Sequence, residues 1–353
     1  MRETRLLKVD PEAPDGDAIR QAAEIVRAGG LVAFPTETVY GLGANALDAQ
    51  AVRGIFAAKE RPSHDPLIVH LATVEDLSCV ACEIPEVVSV LAEHFWPGPL
   101  TLVLPKCAEV PLEVTAGGET VAVRIPSHPV ARALIEAAGV PIAAPSANRF
   151  GRLSPTRAED VLADLEGRID LILDGGPTSV GVESTVLSLV TPVPTILRPG
   201  GISWEALEAV LGSVAHLVSP VQPGVETVVS PGTLSQHYAP QARLVLYQGP
   251  RDRMLSAMRE EAQRLRGEGV RVGLFLAEED LSSFSGLPFI LRAAGPESDL
   301  EAIARYLFIT LRALDKAGVA VILARDFGGA GLGLAIRDRL TRAAGGHVVD
   351  VRV

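Results

Sequence analysis

The sequence predicts an α/β protein of two domains, the first a mixed twisted sheet with helices and the second a smaller parallel sheet. Three observations predict it. Apolar runs of strand length, rich in Val, Ile and Leu, alternate with segments of helical spacing along most of the chain. Aromatic residues are only 4% of a chain that is 48% hydrophobic, which suits an Ala/Val/Leu interior better than an aromatic β-sandwich. The rhythm then changes near residue 243, from mixed elements to simple strand–helix alternation. At 353 residues the chain also exceeds one comfortable core.

The elements follow in order. From Asp17, the positions Ile19, Ala22, Ala23 and Val26 keep helical spacing until Gly29-Gly30, after which LVAFPTE reads as a buried strand. DAQAVRGIFAAKE is a short helix leading into the strand PLIVHLA, and TVEDLSCVA and PEVVSVLAEHF read as helices. TLVLP and TVAVRIP are strands, HPVARALIEAAG is a helix with a glycine stop, and PIAAPSAN is a strand. Helix RAEDVLADLEG and strand DLILDGG come next, and STVLSLV and PTILRPGG are predicted to pair antiparallel across a Thr/Pro turn. This gives a first domain over residues 1–215 that closes on helix SWEALEAVLG.

Residues 216–242, rich in Val, Pro, Ser and Gly, read as a linker carrying SPGTLSQHYAP, a segment expected to cover a site as well as to tether. From 243 to 353, RLVLYQ, VRVGLFLA, FILRAAG, VAVILAR and VVDVRV alternate with helices, the pattern of a Rossmann-like parallel sheet.

Several function classes drop out. A net charge of −11 opposes a broad grip on a nucleic-acid backbone, although a local basic pocket is still allowed. Three cysteines make no paired framework, and Cys79 and Cys82 lack the second pair a zinc site needs, so helix-face packing is expected for them. No metal site is expected. No stretch has signal-peptide or membrane-span length, so a cytoplasmic protein without membrane contact is expected. There is no Walker loop, no His-Glu-x-x-His and no Gly-x-Ser-x-Gly. The loop GGAGLGLAIRD near residue 328 has a dinucleotide-like spacing, but the chain ends soon afterwards, and tight helix–sheet packing is the preferred reading.

The polar residues of the first domain gather at strand ends, where α/β sheets place ligands. They lie in PTETVYGLG (35–43), KERPSHDPLIVH (59–70), TVAVRIP (120–126), APSANRFGRLSPT (144–156), ESTV (183–186) and ILRPGG (196–201). Lys59, Arg61, Arg124 and Arg198 supply cationic donors suited to a polyphosphate or a carboxylate, and Ser146, Asn148, Ser154 and Ser184 supply neutral ones. No nucleophilic triad, Cys–His pair or twin carboxylate is visible. Positioning and charge stabilisation are therefore the expected source of any catalysis.

In order and spacing these motifs, with PGPLTLVL and VSPGTLSQHYAP, resemble those of the YrdC-like threonylcarbamoyl-AMP synthase family in its long form. The resemblance implies a reaction in which L-threonine, bicarbonate or carbon dioxide, and ATP accompanied by Mg2+ give threonylcarbamoyl-AMP and pyrophosphate. The product would pass to a separate transferase that modifies tRNA, with at most weak tRNA contact by this chain. It also implies that Thr38, His70, Arg124, Ala144 and Ser184 hold threonine, with Arg124 on its carboxylate. Arg61, Asp65, Thr120, Ser146, Asn148, Ser154, Arg198, His237 and Tyr238 would hold ATP, and Lys59 and Arg61 would act on its phosphates. Asp65 stands where many relatives have Asn, which places a metal-side or water-mediated contact there among the expectations. The alternative is a non-catalytic RNA-binding or ribosome-associated module using the same basic cavity.

Overall fold

The computed structural model describes residues 3–216 and 238–352. They divide into two compact units. The first takes the described residues up to Phe150 and from Ser154 to His216; the second takes Gly151–Leu153 and the described residues from Tyr238 onward.

Local chemistry starts and stops the helices of the first unit. Asp15 and Asp48 each accept two backbone N–H groups at the start of Gly16–Arg27 and Ala49–Lys59. Gly139, with φ of 64°, ends Pro129–Ala138 in the left-handed conformation that a side chain would resist. Among the described residues eleven strands form one mixed sheet. Their spatial order is Arg5–Lys8, Leu171–Asp174, Val32–Phe34, Gly41–Asn45, Ile142–Ala143, Ile68–His70, Thr120–Arg124, Leu100–Pro105, Thr185–Ser188, Thr195–Arg198 and Ala215–His216. The predicted antiparallel pairing of Thr185–Ser188 with Thr195–Arg198 is present.

Strand alternation separates the two faces in the middle of this sheet. Val69, Val121, Val123, Leu102, Leu104 and Leu187 belong to the large core shared with helices Ala49–Lys59 and Val87–Phe95. Their neighbours Ile68, Val103, Ala122 and Val186 form a separate small apolar cluster. The residues that continue this second face along each strand are polar: His70, Arg124, Thr101, Ser184 and Arg198 toward one end, Thr120 and Ser188 toward the other.

Several expectations are corrected. Cys82 is disulfide-bonded to Cys107, with Cα atoms 5.0 Å apart, and does not pack as a lone thiol. The bridge between Ala81 and Lys106 brings the two segments together across a separation that sequence spacing does not reveal. TVEDLSCVA forms only a 3-10 turn over Glu75–Cys79. The charged N-terminus contributes the strand Arg5–Lys8, parallel to Leu171–Asp174, and GLGAN inside the first polar motif is itself a strand, Gly41–Asn45.

The second unit is a five-stranded, all-parallel sheet in the spatial order Ile290–Ala293, Val272–Leu276, Val321–Arg325, Arg243–Gln248 and Val348–Asp350. The fourth strand in sequence lies between the first and second, which departs from the usual Rossmann order. The glycine-rich loop serves packing, as expected: a Cβ on Gly333 would meet the carbonyls of Gly328 and Phe327 at 3.0 and 3.1 Å.

Candidate active site

Arg124 ends its strand directly opposite His70, and both are buried. The guanidinium is held on three sides. Its Nε donates to the Gly98 carbonyl at 3.2 Å, Nη1 donates to Thr38 Oγ1 at 2.9 Å, and Nη2 pairs with Glu37 Oε1 at 2.6 Å. Thr38 is fixed in turn by Thr36, whose hydroxyl lies 2.8 Å away. His70 Nδ1 lies 3.2 Å from the Ile68 carbonyl, and burial together with Arg124 lowers its pKa to about 3, so the ring is neutral at ordinary pH. Ala144 is tied to the same strand by its N–H, which donates to the Ile68 carbonyl at 2.9 Å. One neutral imidazole, one ion pair and small side chains thus meet at the ends of central strands, a place suited to a small carboxylate with a compact apolar group.

Ser184 extends the cluster across the sheet. Its hydroxyl is 2.7 Å from Thr101 Oγ1, and its carbonyl and hydroxyl accept from Arg198 Nη2 at 3.0 and 3.2 Å. Ser154 donates to the buried carboxylate of Glu183, the residue before Ser184.

A second polar cluster is built on the end of helix Ala49–Lys59. Glu60 caps this helix in the left-handed conformation and turns the chain so that Lys59 and Arg61 both face inward. Lys59 is 1% exposed; its Nζ donates to the Ser146 carbonyl at 2.6 Å and to that of Asn148. Burial, reinforced by the Arg61 charge, holds its pKa well below the usual lysine range. Ser146 donates to Asn148 Oδ1, closing this loop. Arg61 pairs with Asp65 Oδ2 at 2.9 Å and donates to the Pro66 carbonyl at 2.8 Å. Burial pushes the Asp65 carboxyl upward in pKa against the pull of Arg61, Lys59 and, more weakly, Arg198. The short segment from Ala144, bonded to Ile68, to Asn148, bonded to Lys59, ties this cluster to the one around His70 and Arg124.

The structure therefore gathers Thr38, His70, Arg124, Ala144, Ser184 and Arg198 on one part of the sheet, and Lys59, Arg61, Asp65, Ser146 and Asn148 beside them. Thr120 shares the sheet face but opens the strand that Arg124 closes, next to Pro105. Tyr238 belongs to the second unit, 1% exposed, with its ring 5.7 Å from that of Phe308 and the Arg339 guanidinium above it. His237, and with it most of the expected cover at 230–240, lies outside the described residues. At Asp65 the observed partner is the Arg61 guanidinium. Sequence reasoning missed Glu37, Thr101 and Glu183. The signal for Glu37 and Glu183 was present, since a carboxylate inside an apolar and hydroxyl-rich strand end, as in PTETVYGLG and ESTV, asks for a buried cation or hydroxyl partner.

Residues 24–200 match the Sua5/YciO/YrdC family, described as telomere recombination, and residues 202–345 match the threonylcarbamoyl-AMP synthase C-terminal domain. The threonylcarbamoyl-AMP synthases of Pyrococcus abyssi and Bacillus subtilis are each 47% identical to the chain; the alignments cover 94% of this chain in both cases, and 96% and 94% of those proteins. The crystal structure of P. abyssi Sua5 complexed with L-threonine superposes with a TM-score of 0.92 at 46% identity, over 98% of this chain and 99% of that one. On this breadth of agreement, the chain belongs to the threonylcarbamoyl-AMP synthase family.

Proposed function

We propose that the chain forms threonylcarbamoyl-AMP and pyrophosphate from L-threonine, bicarbonate or carbon dioxide, and ATP. The observation that carries this reading is the buried Arg124 beside Thr38 and His70 together with a second cationic cluster at Lys59 and Arg61, in a chain that aligns over 94% of its length with a synthase. Threonine's carboxylate would sit on Arg124, between Thr38 and Ser184, with its side-chain methyl toward Ala144. The phosphates of ATP would lie toward Lys59, Arg61 and Arg198, with Ser146, Asn148 and Ser154 as neutral donors and Thr120 on the far part of the face.

Chemically, threonine's nitrogen becomes a carbamate whose oxygen attacks the α-phosphorus, and pyrophosphate leaves. Two anions must meet a polyanion, so clustered cations stabilise the charge that gathers during transfer. Mg2+ enters as part of the ATP substrate: Asp65 is engaged by Arg61, and an ion carried on phosphates and water needs few protein ligands. The product would pass to a separate transferase acting on tRNA, and the chain would work in the cytoplasm. None of the described helices is long and apolar enough to cross a membrane.

The net charge of −11 and the deep burial of Lys59, Arg61, Arg124 and Arg198 favour this reading over a module that presents cations to RNA. The test is pyrophosphate release from MgATP by the full chain. The expected result is release only when threonine and bicarbonate are both present; release without threonine, or none under any condition, would refute the proposal.

A further inference from the structure

Beside the arginine of the threonine pocket stands a carboxylate that the reaction as described does not use. Glu37 is 6% exposed and cannot swing away: Oε1 pairs with Arg124, Oε2 accepts the Ser127 N–H at 3.2 Å, and its carbonyl accepts the Val180 N–H at 2.7 Å. Arg124 is equally fixed, with one N–H on Gly98, one on Thr38 and one toward Glu37. A guanidinium carries five N–H groups, so one remains on each terminal nitrogen, enough for a bidentate carboxylate.

We infer that Glu37 makes this pocket selective for a zwitterion, taking the ammonium of the amino acid whose carboxylate Arg124 holds. The inference rests on the reading of Arg124 as the carboxylate anchor. In an α-amino acid the two charges are one carbon apart. A carboxylate seated on the guanidinium therefore brings its ammonium within a few ångströms of the acid that shares it. The other groups at the pocket do not disturb this balance. His70 is neutral, and Thr38, Ala144 and Ser184 carry no charge. Arg198 lies on Ser184 and is felt by Asp65, which Arg61 neutralises. Glu37 also borders a cavity of about 840 Å³ together with His128 and Glu12.

The pocket thus presents one positive and one negative pole with no net charge. An acid lacking the amine would still meet Arg124, but its carboxylate would lie beside Glu37 with no ammonium to balance that second carboxylate. Such discrimination serves the reaction, because only an amine can become a carbamate.

The test is competition between L-threonine and 3-hydroxybutyrate, which is threonine without its amine, in threonine-dependent pyrophosphate release by the full chain. Wild type is expected to be nearly insensitive to 3-hydroxybutyrate at concentrations where threonine saturates. Glu37→Gln is expected to raise the threonine KM about tenfold or more while inhibition by 3-hydroxybutyrate strengthens. Structural damage alone would weaken both ligands. Glu37→Asp, which keeps the charge, is expected to retain the wild-type order. Equal affinity of wild type for the two compounds, or parallel weakening of both in a folded Glu37→Gln protein, would overturn the inference. Should Glu37→Gln not fold, the wild-type and Glu37→Asp competitions still decide it. Calorimetric titration of both compounds reads the selectivity even where no pyrophosphate is released, which separates failure here from failure of the proposed reaction.

Discussion

Each unit buries an arginine at the last position of a strand, and the two are used differently. Arg325 ends the central strand Val321–Arg325 of the second unit, 1% exposed, and faces two carboxylates. Its Nε pairs with Asp280 at 2.7 Å and its Nη2 with Glu297 at 2.9 Å, while the guanidinium lies 4.6 Å from the Phe327 ring centre. Arg124 ends Thr120–Arg124 of the first unit with a single carboxylate, Glu37, a hydroxyl and a carbonyl. Burying a guanidinium requires compensation in both places. Two carboxylates more than offset the charge of Arg325, whereas one carboxylate only balances that of Arg124. The difference separates an arginine spent on the fold from the one proposed to hold the substrate.

The largest expected effect falls on the spent arginine. Arg325→Ala leaves the buried Asp280 without its closest cation and is expected to cost about 3–5 kcal/mol of stability, read by denaturant unfolding, with the threonine KM of the folded protein unchanged. A shifted KM would break the comparison.

For the poised arginine the expected pattern is reversed. Arg124→Ala should lower threonine-dependent kcat/KM about ten- to a hundredfold, and Arg124→Lys should not restore it, because an ammonium cannot reproduce the fork. Unchanged threonine dependence in the folded variant would remove Arg124 from the site.

Specificity gives a smaller effect. Serine lacks one methyl, and a pocket closing on a methyl discriminates by about 1–3 kcal/mol, so serine is expected to be a poor substrate but still turned over. The proposed wall is Ala144; Ala143 belongs to the other core, shared with helix Ala49–Lys59. Equal turnover of the two amino acids would show that Ala144 does not line the pocket.

A further effect, spread over pH, concerns His70. With a folded pKa near 3 and an ordinary value of 6.5, the unfolded chain binds a proton between these pH values that the folded chain does not. The stability His70 contributes is therefore present above 6.5 and lost as pH falls, at up to about 1.4 kcal/mol per pH unit. Unfolding measured from pH 7 to 4 should be less acid-sensitive in His70→Asn by up to this slope. Identical slopes would mean that the folded ring does titrate near its ordinary value.

Much of this was readable in local pattern. The helix start at Asp48, the glycine stop at Gly139 and the alternation of TVAVR are short-range chemistry, and they appear where spacing put them, while the helix read from Asp17 is capped two residues earlier by Asp15. The polar strand ends also converge, because strand ends of one sheet are held together by register. What was not readable is the identity of long-range partners. Nothing near Glu37 names Arg124, nothing near Cys82 names Cys107, and nothing near Tyr238 foretells its place against Phe308 and Arg339. GLGAN was hidden for another reason: its glycines lower strand propensity, yet a Cβ on Gly43 would meet Phe34 and Ile142 at 2.7 Å, so close packing demands them.

Calorimetric titration of L-threonine into wild type, Arg124→Lys and Arg325→Lys tests most directly whether Arg124 serves a ligand while Arg325 does not. The predicted result is threonine binding weakened about tenfold or more by Arg124→Lys and unchanged in folded Arg325→Lys, which loses only stability. Unchanged binding in Arg124→Lys, or equal weakening in both, would contradict it.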